Sequence, residues 1–375
     1  MTRPPVVAFA LACVAACGQG PPPGTWVWNT PASFPAPRVP DDNPMSIAKV
    51  ELGRHLFYDP RLSGNRTQSC ASCHVQAHAF AGPDAVEPGS TGEPGRRNAM
   101  SLANVAWNSV QTWADPDLVE LEQQVLVPMF GEAPVELGLA GMEQTLIDRI
   151  RAEPAYATLF AEAFPDLADP VAIDTIVKAL AAFDRAIVSD RSPYDRFVAG
   201  DGGALSDAAQ RGLELFFSEK LECHHCHGGF NLTASYRSMD TPPEGLVHYF
   251  NNGLYNVDRA GGYPATDRGV MDISGEARDM GKFRAPTLRN VAVTAPYMHD
   301  GSVATLDDVL TMYARGGRVI ADGPNAGDGA ASPIKNVLIN GFTLSDGQRA
   351  DLAAFLDSLT DRALLTDPAL SSPWD

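Results

Sequence analysis

The chain of 375 residues is long enough to form two domains of ordinary size. Hydrophobic residues make up 45% of it and charged residues 20%, which is the composition of a globular protein. The formal net charge of −18 at pH 7 argues against a nucleic-acid partner, because such a partner requires a basic face. An acidic excess is instead compatible with solubility or with a basic protein partner.

The N-terminal segment 1–17 is predicted to be an export signal. Its apolar run is too short to span a bilayer as a mature helix. The run ends in Val-Ala-Ala-Cys, which resembles a bacterial lipobox, so Cys17 would become the lipidated first residue and 18–39 a flexible tether. The alternative is an ordinary signal peptide cleaved after small residues. Either route leads to the periplasm, and membrane contact is expected only through the lipid on Cys17.

Four of the six cysteines lie in two C-x-x-C-H motifs. The motifs consist of Cys70, Cys73 and His74, and of Cys223, Cys226 and His227. Two thiols one helical turn apart can form thioethers with the two vinyl groups of a haem, and the adjoining histidine then faces the iron. One such motif could instead hold zinc or act as a dithiol. Two of them, with no cysteine left over outside the export signal, predict two covalently bound c-type haems.

A repeated pattern precedes the two motifs. G-x-x-L-F occurs at 53–57 and again at 212–216, each on a predicted helix whose glycine allows close packing against another helix. The predicted fold is therefore mainly α, with two cytochrome c-like domains that each carry one haem. We place the first domain at 40–200, the second at 201–345, and a C-terminal helix and tail at 346–375. Strand signals are weak throughout.

Three helix boundaries can also be predicted. Ser206 is a candidate N-cap of the helix before the second motif. Asp169 followed by Pro170 is typical of a helix start, and apolar residues then recur on one face as far as Ile187. A last helix is expected over about 345–359.

Further residues are similar to those of the bacterial di-haem cytochrome c peroxidase family, which includes MauG. The resemblance covers most of the mature chain, and within the family it is strongest to the MbnH branch, through the segments 43–63 and 129–132. The residues that carry it are Asn98, Trp113, Gln124, Pro128, Pro134-Val135-Glu136-Leu137-Gly138, Ala285-Pro286-Thr287-Leu288-Arg289-Asn290 and Thr294-Ala295-Pro296-Tyr297-Met298-His299-Asp300-Gly301.

The resemblance implies roles for three residues around the first haem. Trp113 matches a tryptophan that lies between the haems and carries electrons, a role compatible with being a buried core aromatic. Gln124 and Glu136 match the distal pocket of the first haem, where Glu136 would move the proton needed to cleave peroxide. Glu136 could instead be a surface residue of a loop. Because the chain has extra residues between Gln124 and Glu136, Glu132 is a second candidate for the same role.

The resemblance also implies a sixth ligand on the second haem. Ordinary peroxidases of the family have methionine at this place, whereas MauG-like members have tyrosine. The position falls on Tyr313, one residue after Met312. Neighbouring helix residues point about 100° apart, so only one of the two can face the iron. A phenolate favours oxidised iron and a thioether favours reduced iron, so Met312 as ligand would indicate a conventional peroxidase.

Two further features concern the irons and calcium. Many family peroxidases have a capping histidine in the loop after the first motif, but 83–97 contains none, and His78 lies only one turn beyond His74. The first haem is therefore expected to be five-coordinate. The resemblance also implies a calcium ion between the haems. Its protein ligands would be oxygen atoms of Asn98, Thr294 and Pro296, and water would complete the coordination shell.

The function that the resemblance implies is protein oxidation driven by hydrogen peroxide. Peroxide would react at the first haem, and the two haems would share a high-valent state through Trp113. That state would oxidise an aromatic residue, a tryptophan, of a partner of the MbnP kind, in that branch to kynurenine. One alternative is a di-haem cytochrome c peroxidase that receives electrons from small redox proteins. The other is a non-catalytic electron carrier.

Overall fold

The structure, a computed structural model, describes residues 24–374. The predicted export signal, with Cys17, and the first part of the predicted tether lie outside this range. The described chain is mainly helical, as predicted. Its α-helices are α1 (Ile47–Phe57), α2 (Cys70–Cys73), α3 (Leu121–Phe130), α4 (Glu143–Ala152), α5 (Pro154–Ala163), α6 (Ile173–Ala186), α7 (Pro193–Val198), α8 (Asp207–Phe216), α9 (Met271–Ser274), α10 (Leu306–Arg315) and α11 (Asp346–Ser358).

Strands in the described range are short. Two antiparallel sheets of two strands each are formed, and every strand has two residues. β1 (Tyr249–Phe250) pairs with β2 (Phe283–Arg284), and β3 (Val319–Ile320) pairs with β4 (Gly327–Asp328). None of the described helices is both long and apolar enough to cross a membrane.

Two helix pairs with the same internal design organise the fold. α1 packs against α6, and α8 packs against α11. A Cβ atom on Gly53 of α1 would lie 2.0 Å from the carbonyl oxygen of Ala179, and one on Gly212 of α8 would lie 2.0 Å from that of Asp351. These separations are far below a van der Waals contact, so only glycine allows the helices to approach so closely. The predicted role of the repeated glycine is confirmed in both pairs.

Serine side chains cap the starts of both helices in the second pair, α8 and α11. The Ser206 hydroxyl accepts a hydrogen bond from the backbone N–H of Ala209 at the start of α8. The Ser345 hydroxyl does the same for Gln348 at the start of α11. Such caps satisfy N–H groups that have no partner within the helix. Both predicted starts are therefore confirmed.

The predicted start of α6 at Asp169 and Pro170 was wrong. The helix begins at Ile173, where the Thr175 hydroxyl accepts a hydrogen bond from the N–H of Ala172. Asp169 instead pairs with Arg151 of α4 at 2.6 Å. The side chain that was predicted to cap the helix therefore forms an ion pair with another helix instead.

Each helix pair lies in its own apolar core. The first core contains α1, α5 and α6 and is rich in buried aromatic rings such as Phe57, Phe160 and Phe183. The second contains α8 and α11, where Phe216 and Phe355 pack with ring centroids 5.2 Å apart. Full burial of one such side chain stabilises a fold by about 1.5–3 kcal/mol.

The C-terminal tail returns from the second core to the first. Leu364 and Leu370 are buried in the first core. Trp374 donates a hydrogen bond from Nε1 to the carbonyl oxygen of His55 at 3.0 Å and packs against Tyr156. The tail therefore connects the two halves of the molecule.

Candidate active site

The first C-x-x-C-H motif forms one turn of helix followed by a partly buried histidine. Cys70 and Cys73 are the first and last residues of α2. The Nδ1 atom of His74 lies 3.0 Å from the carbonyl oxygen of Phe80. A carbonyl can only accept, so Nδ1 carries the proton and Nε2 is left free to bind a metal. Burial lowers the pKa of His74, which keeps the imidazole neutral and able to ligate.

The second motif repeats this arrangement. Cys223 begins a short 3₁₀ turn that Cys226 follows directly. The Nδ1 atom of His227 lies 3.1 Å from the carbonyl oxygen of Pro286, which again fixes the tautomer. Burial lowers the pKa of His227 to about 4. Both histidines are therefore prepared as neutral ligands with Nε2 available.

A large cavity adjoins the second motif and fits a haem. Cys223, Cys226 and His227 line it together with apolar side chains. Arg284 also lines it, fully buried, and within the described residues its guanidinium has no carboxylate partner. Burial lowers the pKa of Arg284 to about 10. A buried cation without a counter-ion is costly, so the cavity provides a site for an anionic group such as a haem propionate.

Tyr313 and Met312 occupy different environments, as helix geometry requires. Tyr313 lines the cavity beside the second motif, and its hydroxyl oxygen lies 3.5 Å from Nδ2 of Asn252. Burial raises the pKa of Tyr313 to about 12, and the hydrogen bond from Asn252 partly offsets that rise. Met312 is buried in an apolar cluster against which Tyr313 also packs, but Met312 is not among the residues that line the cavity.

Trp113 lies at the wall of the same cavity. Its Nε1 donates a hydrogen bond to the carbonyl oxygen of Asn98 at 2.9 Å, and its own carbonyl oxygen accepts from the N–H of Arg284 at 2.7 Å. The indole packs in the apolar cluster that also contains Tyr313. Trp113 therefore belongs to the first half of the chain but contacts residues of the second half.

Glu136 is largely buried near the first motif. Burial raises its pKa. Burial also raises the pKa of Cys73 to about 12, and the charges of Glu87 and Glu136 add to that rise, which places Glu136 close to the thiol. Glu132, by contrast, is exposed. Of the two candidate carboxylates, Glu136 has the environment expected of an acid–base group.

Gln124 is brought to the same region by α3. The segment that carries Glu136 runs back along this helix, with the N–H of Leu137 donating to the carbonyl oxygen of Pro128 at 2.8 Å. Oε1 of Gln124 is buried and accepts no hydrogen bond from a described residue. An acceptor without a donor inside a protein is suited to bind water or a ligand.

His78 is the histidine that follows the first motif most closely in sequence. His78 is partly exposed and lies close to Glu87. Burial raises the pKa of Glu87, and His78 partly offsets that rise. This position agrees with the expectation that His78 does not cap the first site, which stays a prediction.

The three residues expected at a calcium site also line the cavity. The amide of Asn98 donates from Nδ2 to the carbonyl oxygen of Asp84 at 2.9 Å, which leaves Oδ1 as the free atom. No described residue donates a hydrogen bond to the carbonyl oxygens of Thr294 and Pro296. The oxygens that calcium would need are therefore not engaged by described residues.

Sequence reasoning missed two residues of the cavity, Asn252 and Arg284. Asn252 donates from Nδ2 toward Sδ of Met298 at 3.4 Å as well as toward Tyr313, and Arg284 supplies the unpaired cation. Arg284 could have been suspected, since a charge lies between apolar residues just before Ala285-Pro286. Nothing in the sequence distinguishes Asn252 from other loop asparagines.

Two partly buried histidines, each with Nδ1 against a backbone carbonyl and each beside a pair of thiols in a mainly helical fold, define a c-type cytochrome with two haem-attachment sites. The family model described as di-haem cytochrome c peroxidase matches residues 47–203. A second model, RoxA-like, cytochrome c-like, matches residues 282–318.

Three similar proteins support the same assignment. The chain is 34% identical to cytochrome-c peroxidase IdrP1 of Denitromonas iodatirespirans, over 98% of this chain and 95% of that protein. It is 30% identical to methylamine utilization protein MauG of Methylorubrum extorquens, over 92% and 86%. A crystal structure of a MauG-like protein associated with microbial copper homeostasis superposes with a TM-score of 0.91 at 49% identity, covering 94% of this chain and all of the other.

The chain therefore belongs to the di-haem cytochrome c peroxidase and MauG family. It is a di-haem peroxidase-type oxidoreductase with two c-type haems. The expected fold, family and cofactor class are confirmed. Membership in a family of peroxidases also disfavours the alternative of a non-catalytic electron carrier.

Proposed function

We propose that this protein uses hydrogen peroxide to oxidise an aromatic residue, a tryptophan, of a partner protein. The observation that carries the proposal is that Tyr313 lines the cavity beside the second motif, whereas Met312 does not. A phenolate ligand favours oxidised iron, as a protein-oxidising enzyme requires. A relative described as MauG-like and associated with copper homeostasis shares 49% of its residues, which supports a MauG-like activity.

The two haems would supply the redox chemistry. The first haem would be held by Cys70, Cys73 and His74. The second haem would be held by Cys223, Cys226 and His227. The reaction takes two electrons from the partner and, with two protons, converts hydrogen peroxide to two molecules of water.

Three side chains would assist the reaction. Glu136 would take a proton from one oxygen of peroxide and return it to the departing oxygen, a role that suits a carboxyl whose pKa is raised by burial. Gln124 would orient the peroxide through its unpartnered oxygen. Trp113, held against both halves of the chain, would conduct electrons between the two sites.

A second candidate is a cytochrome c peroxidase fed by small redox proteins. One observation favours it: Sδ of Met298 lies at the cavity wall, 3.4 Å from the same amide that faces Tyr313. A thioether is thus available beside the phenol. The relatives named cytochrome-c peroxidase are consistent with this activity.

The test compares Tyr313→Met with the matched variant Met312→Leu in the holoprotein. We expect the wild type and Met312→Leu to modify an exported, tryptophan-containing protein encoded beside this gene, detected by mass spectrometry after peroxide is added. Tyr313→Met should lose this modification. Rapid peroxide turnover that requires prior reduction and a reduced small cytochrome, with no change in partner mass, would instead establish the peroxidase. Electron paramagnetic resonance that finds only low-spin iron would exclude both.

We also propose a calcium ion held by Asn98, Thr294 and Pro296. Chelation should lower the melting temperature of the holoprotein, and added calcium should restore it. Asn98→Ala should weaken the restoration, whereas Asn98→Asp, which keeps an oxygen ligand, should preserve it. Indifference of the wild type to chelation would contradict the site.

We also propose that the protein is periplasmic and that Cys17 carries a lipid. Labelled fatty acid should enter the wild-type chain during expression and should be absent from Cys17→Ala. An exported wild-type chain without label would indicate an ordinary signal peptide instead.

A further inference from the structure

Two histidines and two glutamates converge on the outer side of the second haem-attachment motif. Nε2 of His224 lies 3.6 Å from Oε1 of Glu219, and Nε2 of His225 lies 3.5 Å from Oε2 of the same carboxylate. Nε2 of His225 also lies 2.7 Å from Oε2 of Glu222. The side chains of His224 and His225 pack with ring centroids 4.1 Å apart. The ligating atoms of Glu219, His224 and His225 all lie within 4.8 Å of one another.

The motif itself creates this arrangement. His224 and His225 fill the two variable positions between Cys223 and Cys226, whose side chains line the haem cavity. The two histidines are absent from the cavity lining and are partly solvent-exposed. Glu222 has a left-handed backbone, with φ of 59°, at the start of the turn, where its carboxylate meets His225.

The chemistry of Glu219, His224 and His225 is that of a transition-metal site. Imidazole nitrogens and carboxylate oxygens are common ligands of zinc and copper. In a tetrahedral zinc site with bonds of about 2.0–2.1 Å, neighbouring ligand atoms are about 3.3–3.4 Å apart. The nitrogen–oxygen separations of 3.5 and 3.6 Å to Glu219 are close to that spacing, whereas the 2.7 Å between His225 and Glu222 is the distance of a direct hydrogen bond. Two carboxylates would also balance the charge of a divalent ion.

Ordinary surface ion pairing is the alternative explanation. Exposed pairs between histidine and glutamate add little to stability, so ion pairing alone gives no strong reason to hold two imidazoles 4.1 Å apart beside two carboxylates. The first haem motif provides an internal comparison. Its variable positions are Ala71 and Ser72, which have no imidazole, so the cluster is not a requirement of haem attachment.

We propose that Glu219, His224 and His225 form a binding site for one divalent late-transition-metal ion, Zn²⁺ or Cu²⁺, with water completing the shell and the Glu222 carboxylate adding negative charge beside it. Copper should bind more tightly than zinc, since affinity for nitrogen and oxygen donors rises toward copper. The site is separate from the haem irons and from the residues expected to bind calcium. It does not depend on which oxidation reaction the protein carries out.

The experiment titrates untagged holoprotein with zinc sulfate and with copper sulfate in competition with a chromophoric chelator. We expect one equivalent to bind per chain in addition to the two haem irons. The double variant His224→Ala with His225→Ser, which copies the first motif, should weaken binding at least tenfold, and Glu219→Gln should weaken it less. Calcium at equal concentration should not compete, because it prefers oxygen ligands.

The control is His248→Ala. His248 is exposed, and among the described residues it has no carboxylate within 4.0 Å, so its loss should leave the affinity unchanged. Haem absorption spectra and circular dichroism confirm that each variant is loaded and folded. Equal affinity of the wild type and the double variant, or no stoichiometric binding to the wild type, would overturn the proposal.

Discussion

At the scale of single residues, burial sets the chemistry of the site. Glu136 and Glu132 are four positions apart, yet one is largely buried beside the first motif and the other is exposed. A carboxyl whose pKa is raised by burial takes up a proton more readily than an ordinary carboxylate does. The difference makes Glu136 the stronger candidate for proton transfer.

We expect Glu136→Gln to lower peroxide-dependent activity by about 10²- to 10⁴-fold, because the amide cannot carry the proton. Glu132→Gln, the matched exposed control, should retain nearly full activity. The measurement is turnover of peroxide by the fully loaded holoprotein. Similar losses in both variants would argue against a specific role for Glu136.

Asp184 is a buried carboxyl whose ionisation opposes folding. Burial raises its pKa to about 7, and Oδ1 has no hydrogen-bond partner among the described residues. The unfolded chain therefore releases this proton at lower pH than the folded chain. The contribution of protonated Asp184 to the free energy of unfolding is complete below about pH 4 and is lost as the pH rises toward about 7.

Asp184→Asn removes this titration. We expect the variant to gain stability relative to the wild type between about pH 5 and about pH 8, measured by urea unfolding of the holoprotein. Asp166→Asn, at an exposed position, should show no such change with pH. A pH-independent difference between Asp184→Asn and the wild type would contradict the assignment.

At the scale of elements, the two helix crossings depend on the absence of a side chain. A methyl group on Gly212 would collide with the backbone of Asp351, which cannot rotate away as a side chain would. Gly53 meets Ala179 in the same way. The crossing of α8 with α11 is therefore fixed by one residue type.

Gly212→Ala should destabilise the protein by about 3 kcal/mol or more, since overpacking against backbone forces the helices apart. Gly202→Ala is the control, because a Cβ atom there meets no atom within 4 Å. Thermal unfolding of both holoproteins provides the comparison. A Gly212→Ala protein as stable as Gly202→Ala would show that the crossing tolerates a side chain.

At the scale of the whole molecule, long-range contacts join the two halves. Trp113 in the first half and Arg284 in the second share a backbone hydrogen bond at the cavity. The C-terminal tail forms a second connection through Trp374, which lies against Tyr156 and His55. These contacts hold the two haem sites at a fixed separation.

We expect Trp374→Ala to lower the free energy of unfolding by about 1–3 kcal/mol, less than for a fully buried tryptophan because the ring is only partly covered. Val337→Ala is the control, since Val337 is 78% exposed. Chemical denaturation monitored at the haem absorption bands measures both. A negligible effect of Trp374→Ala would mean that the tail does not stabilise the contact between the two halves of the molecule.

Much of the fold was predictable because its signals are local. Ser206 and Ser345 cap helices whose starts can be recognised from a few residues, and the glycine of each G-x-x-L-F reports close packing directly. The start of α6 was not predictable, because Asp169 pairs with Arg151 across 18 positions of sequence. The cavity residues Asn252 and Arg284 were missed for the same reason: their partners are distant in the chain.

The sequence by itself determined that two haems are attached, because two thiols and a histidine on one turn of chain are sufficient for that chemistry. Resemblance extended this to the family. Only the tertiary structure decided which of Met312 and Tyr313 lines the cavity, and which of Glu132 and Glu136 is buried. Both choices depend on the direction in which a helix or loop packs, and packing is set by contacts among segments far apart in sequence.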